Sequence, residues 1–142
     1  MRANAAGINP RLALGVVLVV AFVLRIAWID LPSGALIADE TTYVNAARVI
    51  AGRPVSADHP YAGAPIGVDP QTDQPPLGKV LIAGSMALLG DNPIGWRLPS
   101  LVAGMLALLA LAGIVRRAGG SLWLAVVAVV LFAADNLAFV HS

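Results

Sequence analysis

The chain has 142 residues, 58% of them hydrophobic and 12% charged, with a mean hydropathy of +0.82. Soluble domains run near 45–50% apolar and about 25% charged, so this composition points to the membrane. A net charge of +1 gives no overall basic footprint for nucleic acid, and zero cysteines exclude disulfides, thiolate metal sites and a cysteine nucleophile.

In chain order, Leu12–Leu24 is wholly apolar and the run continues through Ile29 apart from Arg25. A span needs roughly 20 residues, so Leu12–Ile29 is expected to be a first transmembrane helix. The rival is a cleaved signal peptide ending near Ser33-Gly34-Ala35. The later apolar runs and Arg25 favour a retained helix.

Asp30 to about Gly95 is too polar to span. Within it, Glu40–Ala51 reads as a helix with Tyr43, Ala46, Ala47 and Ile50 on one face and Asn45 and Arg48 elsewhere. Asp39 is the expected N-cap, and Gly52 followed by Pro54 the stop. Such a helix can lie on a membrane surface. Pro54–Pro76 is a loop dense in Pro, Gly and Asp. Leu77–Leu89 is a second apolar run of about 20 Å, short of the roughly 30 Å hydrocarbon core. An interfacial or half-buried helix opening at Pro76 is therefore expected.

Trp96–Val115 is of membrane length and closes on Arg116-Arg117. Ala103, Gly104, Ala107, Ala110 and Gly113 recur along it, as close-packing membrane helices require. After the turn Ala118–Ser121, Leu122–Val140 is the expected third span, with Asp135 and Asn136 near its end. The fold class expected is all-α and integral to the membrane. It has three transmembrane helices, and two juxtamembrane amphipathic helices in a long first external loop, residues 30–95.

Charge sets the orientation. With three spans, Arg2, Arg11, Arg116 and Arg117 share one side, which the positive-inside rule makes cytoplasmic. The other side receives Asp30, Asp39, Glu40, Asp58, Asp69, Asp73 and Asp91 against Arg48, Arg53 and Lys79. The N-terminus is thus expected in the cytoplasm and the loop outside. Trp28, Trp96 and Trp123 fall near helix ends, where interfacial tryptophans sit.

Five places carry candidate chemistry. Asp39 and Glu40 form a carboxylate pair at the water–membrane boundary, where a general base could take a proton from a hydroxyl. Read plainly, Asp39 is only a cap and Glu40 a first-turn acid favoured by the helix dipole. Arg25, inside an apolar run, is either an anchor for a phosphate or a snorkelling side chain. Lys79 at a helix N-terminus suits a phosphate, or again snorkels. Arg97 is similarly ambiguous. Asp135 needs a cavity or a partner such as Arg25 or Arg97. His59 and the terminal His141 are isolated. No metal cluster, phosphate loop or dinucleotide fingerprint is present, so a divalent metal has no support in the residues.

The order of these pieces resembles the N-terminal part of membrane glycosyltransferases typified by protein O-mannosyltransferases. These have the GT-C fold, and include bacterial aminoarabinose transferases. The blocks are Leu24-Arg25-Ile26-Ala27-Trp28, Ala38-Asp39-Glu40-Thr41-Thr42-Tyr43, Asp73-Gln74-Pro75-Pro76-Leu77-Gly78-Lys79, Gly95-Trp96-Arg97-Leu98-Pro99-Ser100, Arg116-Arg117, and Asp135 through Ser142. The resemblance implies inverting transfer of a mannose-like sugar from a polyprenyl-phosphate donor to a hydroxyl on a protein, glycan or lipid, at the outer face. It implies Asp39 as general base and Glu40 as its support, with Arg25, Lys79 and Arg97 as candidates for holding the donor phosphate. Gln74 stands where many protein mannosyltransferases have His, which leaves the acceptor open.

Family members are several times longer, so the remaining spans are expected in a longer reading frame or a separate chain. The alternative is a non-catalytic membrane module or inactive fragment that only packs with partner helices. A small transporter ranks below both, having no need of the long loop.

Overall fold

The computed structural model describes residues 8–31 and 33–135. These form five helices: α1 (Pro10–Trp28), α2 (Glu40–Ile50), α3 (Pro76–Leu89), α4 (Pro93–Arg117) and α5 (Leu122–Ala134). No strand occurs among the described residues. The chain divides into two compact units, Trp28–Pro99 and Met1–Ala27 with Ser100–Ser142.

In the unit Trp28–Pro99, α2 packs on α3 through Val44, Ala47, Ile82, Ala83 and Met86, joined by Trp96. Burying each large apolar side chain of this set stabilises by about 1.5–3 kcal/mol. The expected apolar face of α2 is broader in the structure, since Val44, Val49 and the polar Asn45 are also buried. Asn45 was expected to face away. It is accommodated because its amide donates to the Thr41 carbonyl at 2.7 Å and accepts from Arg48 Nη1 at 2.7 Å, which leaves no orphan polar group.

α3 begins with Pro76 in its first turn, where the missing N–H is no loss. One face is buried at Ile82, Ala83 and Met86, while Leu77, Val80, Leu81 and Leu88 are exposed. This is the half-buried apolar helix that the pattern anticipates. Asn92 then links α3 to α4. Its Oδ1 accepts from Gly95 N–H at 3.1 Å, and its amide donates to the Leu89 carbonyl at 2.8 Å. Gly95 is required here, because a Cβ would stand 2.2 Å from the Gly90 carbonyl oxygen. α4 starts three residues earlier than expected and carries Pro99 inside it.

Trp96 lies in the first turn of α4. It is 6% exposed, and its indole N–H donates to Asp91 at 2.6 Å, so it packs in the α2–α3 core. Trp28 and Trp123, by contrast, are exposed at helix ends.

In the other unit, α1, α4 and α5 meet at Ala21, Leu108, Ala112, Ala125 and Val129. The small residues Ala103, Ala107, Ala110 and Gly113 are exposed and Gly104 is partly buried, so among the described residues they do not form the packing seam. α1 (19 residues, hydropathy 2.1) and α4 (25 residues, hydropathy 2.3) are each long and apolar enough to cross a membrane. Val16, Val19, Val23, Leu106, Leu109 and Ile114 face outward on them, as lipid-facing side chains do. α5 starts at Leu122 as expected, capped by Ser121 Oγ accepting from Leu124 N–H at 3.1 Å. It covers 13 residues to Ala134. The rest of the expected third span, with Asn136, His141 and Ser142, lies outside the described residues, as does Arg2.

Candidate active site

Asp39 and Glu40 are adjacent, yet their environments differ. Asp39 occupies the entry of α2 with φ −67° and ψ −19°, so its backbone is already helical, and its side chain makes no cap bond. The expected N-cap is thus absent. A capping side chain needs extended backbone at its own residue to swing back onto the following N–H groups. Asp39 is exposed. Ala38 before it has φ +44°, the left-handed region that costs an alanine about 1–2 kcal/mol.

Glu40 is held instead. Its Oε1 accepts from Arg97 Nε at 2.6 Å and its Oε2 from Arg97 Nη2 at 2.8 Å. Oε2 also accepts from Ile37 N–H at 3.1 Å, which ties Glu40 to the segment ahead of α2, while the first-turn N–H groups of Thr41 and Thr42 bond the Ala38 and Asp39 carbonyls. Arg97 goes further: Nη1 donates to the Ile29 and Leu31 carbonyls at 2.9 and 3.2 Å, and Nη2 to Ala35 at 3.0 Å. A guanidinium has five N–H groups, and each of the five has an acceptor in the chain. Arg97 therefore gathers residues 29–40 around the start of α4. In this arrangement it has no N–H left for a phosphate.

Lys79 is committed in the same way. It is 0% exposed, pairs with Asp69 Oδ2 at 2.6 Å and donates to the Gln74 carbonyl at 3.1 Å and to the Gln71 carbonyl. Burial alone would raise the Asp69 carboxyl, but the bonds from Lys79 and from Gln71 N–H hold it below the usual carboxylate value. Gln74 in turn meets α2, since the Tyr43 hydroxyl donates to Gln74 Oε1 at 3.2 Å.

A second ionic cluster lies on the other side of α2. Arg48 grips Asp91 with Nε and Nη2 at 2.9 and 3.0 Å, and stacks over the Trp96 ring at 5.3 Å. Arg53 Nη2 donates to the Met86 carbonyl at 3.0 Å. Burial would raise the Asp91 carboxyl; the bonds from Arg48 and Trp96 and the charges of Arg48 and Arg53 lower it overall.

Arg25 and Asp135 belong to the other unit. Arg25 is 5% exposed, donates to the Ala21 carbonyl at 3.3 Å, and has a further interaction besides. It lines an apolar cavity of about 270 Å³ with Val17, Leu24, Val130 and Ala133. Asp135 follows α5, its N–H bonded to the Phe132 carbonyl, and it makes a further interaction besides. Among the described residues no three His, Cys, Asp or Glu side chains converge as a metal site requires.

The structure thus brings Asp39, Glu40 and Arg97 together. It places Lys79 in the same unit, connected to α2 through Gln74. Sequence reasoning missed Asp69, Asp91 and the Tyr43–Gln74 bond. The residue types were visible, but contacts ten or more positions apart leave no local periodicity to read.

Residues 73–142 match the family model described as dolichyl-phosphate-mannose-protein mannosyltransferase. The polyprenol-phosphate-mannose–protein mannosyltransferase of Mycolicibacterium smegmatis is 32% identical over 110 residues, covering 78% of this chain and 20% of that protein. The protein of the same name from Mycobacterium tuberculosis is 31% identical over the same length, again 20% of its own chain. This chain therefore spans about a fifth of the curated relatives it matches. No solved structure matches it.

Proposed function

We propose, from the premise that residues 73–142 belong to the dolichyl-phosphate-mannose-protein mannosyltransferase family, that the chain forms part of a membrane glycosyltransferase. It moves a mannose-like sugar from a polyprenyl phosphate to a hydroxyl of a protein Ser or Thr, or of an envelope glycan or lipid. Asp39 takes the proton of the acceptor hydroxyl. The freed oxygen bonds to the anomeric carbon as the bond from that carbon to the phosphate oxygen breaks, and polyprenyl phosphate leaves. Attack opposite the leaving group inverts the anomeric centre.

The observation that carries this reading is the division of labour between two neighbouring carboxylates. Glu40 is immobilised by Arg97, whereas Asp39 is exposed and its side chain caps nothing. Asp39 is reachable, and the Arg97–Glu40 pair fixes the helix entry from which its side chain projects. The leaving phosphate needs positive charge. Arg25 remains a candidate on the resemblance, while Arg97 and Lys79 serve the scaffold of the Asp39 unit. The charge pattern favours three spans with residues 30–95 on the outer face, and the resemblance favours a bacterial plasma membrane.

The test is transfer of radiolabelled mannose from polyprenol-phosphate mannose in membranes carrying the protein. Asp39→Asn should abolish transfer at unchanged protein level, and Asp39→Glu should retain a fraction. Undiminished turnover in Asp39→Asn overturns the assignment.

A further inference from the structure

Lys79 is a fully buried cation for which the reaction above has no use. Burying an ammonium is costly unless its donors are all met. Here they are: three N–H groups face Asp69, Gln71 and Gln74. All three acceptors sit in the loop ahead of α3. Asp69 Oδ1 also accepts from Gln71 N–H at 3.0 Å, which folds the loop around the ammonium. The loop reaches α2 at the Tyr43–Gln74 bond. Tyr43 N–H bonds to the Asp39 carbonyl at 3.1 Å, so Tyr43 stands one helical turn from Asp39 on the same face.

We propose that Lys79 is a positioning residue: it fixes loop 69–74 so that Gln74 closes against Tyr43, and these two side chains form the acceptor-side wall beside Asp39. This rests on Asp39 being the base. A phosphate could reach Lys79 only by displacing Asp69, because the ammonium has neither an unfilled donor nor solvent contact. The Tyr43 and Gln74 polar atoms, by contrast, sit at an exposed hydrogen bond. They can bond an acceptor through its backbone amide or a neighbouring hydroxyl.

The experiment measures the KM for a Ser/Thr peptide and for polyprenol-phosphate mannose separately, in membranes carrying the protein. Lys79→Met and Gln74→Ala should each raise the peptide KM about 3- to 10-fold, as expected for losing one hydrogen bond, and leave the donor KM unchanged. A raised donor KM in Lys79→Met overturns the proposal in favour of a phosphate ligand; unchanged KM values in both variants also overturn it. Where Lys79→Met fails to accumulate, Gln74→Ala and Asp69→Asn decide by the same split. Hydrogen exchange provides a readout independent of activity: peptides covering residues 69–74 should exchange faster in Lys79→Met, and unchanged protection overturns the proposal. Asp39→Asn run alongside separates the two failures, since retained transfer there sinks the base assignment whatever Lys79 does.

Discussion

Arg97 and Glu40 form a two-pronged ion pair, 2.6 and 2.8 Å, between residues 57 positions apart. The same guanidinium bonds the carbonyls of Ile29, Leu31 and Ala35. Only arginine has the planar fork for this, since a lysine ammonium offers three donors at one point. Arg97→Lys should therefore lose most of the cluster. The expected cost is about 2–4 kcal/mol, because a half-buried carboxylate and three carbonyls lose their partner. Thermal unfolding in detergent, with Glu40→Gln as the companion variant, measures it. A midpoint within a degree of the parent in both variants contradicts the structural role.

The span-length helices α1 and α4 and the α2 and α3 boundaries were legible because apolar length and proline punctuation are local signals. Pro76 and Gly52 mark ends that any reader of the chain would choose. The roles of charged residues were not legible. Arg97, Lys79 and Arg48 look alike in sequence, as cations beside apolar runs. Their partners Glu40, Asp69 and Asp91 lie 57, 10 and 43 positions away. The capping assignment of Asp39 failed for a different reason. Residue type favours Asp at that place, but the backbone at Asp39 is already helical, and the first-turn N–H groups bond the Ala38 and Asp39 carbonyls instead of its side chain.

Acid should loosen the α2–α3 core through Asp91. Its carboxyl is held below the ordinary value by Arg48 and Trp96, against the opposing effect of burial. A depressed folded value means stability that is present above the unfolded value, near 3.9, and is lost as pH falls through the folded one. Hydrogen exchange of α2 amides should rise below about pH 4. In Asp91→Asn this acid-dependent rise should be smaller, with faster exchange already at neutral pH. An acid limb as steep as the parent's would remove Asp91 from the account.

Gly95→Ala tests the α3–α4 junction. The added methyl would lie 2.2 Å from the Gly90 carbonyl oxygen and 3.5 Å from Met86 Cα, both backbone atoms that cannot rotate away. Overpacking of this kind costs about 1–3 kcal/mol. Because Trp96 and Arg97 follow directly, transfer should fall together with stability. Gly84→Ala, inside α3 with nothing within 4 Å of the added carbon, is the matched control and should leave transfer unchanged while raising stability by about 0.5–1 kcal/mol.

Asp39 and Ser121 both precede a helix, and their truncation should separate a capping residue from one that is not. Ser121 has extended backbone, ψ 160°, and its hydroxyl accepts from Leu124 N–H. Ser121→Ala should cost about 0.5–2 kcal/mol, the ordinary value of a lost cap. Asp39 has helical backbone and no cap bond, so Asp39→Ala should leave the unfolding midpoint where it was. If Asp39 is also the base, that unchanged midpoint accompanies loss of transfer, which distinguishes chemistry from scaffold in a single variant. A midpoint lowered as far as in Ser121→Ala would return Asp39 to the capping role its residue type suggests.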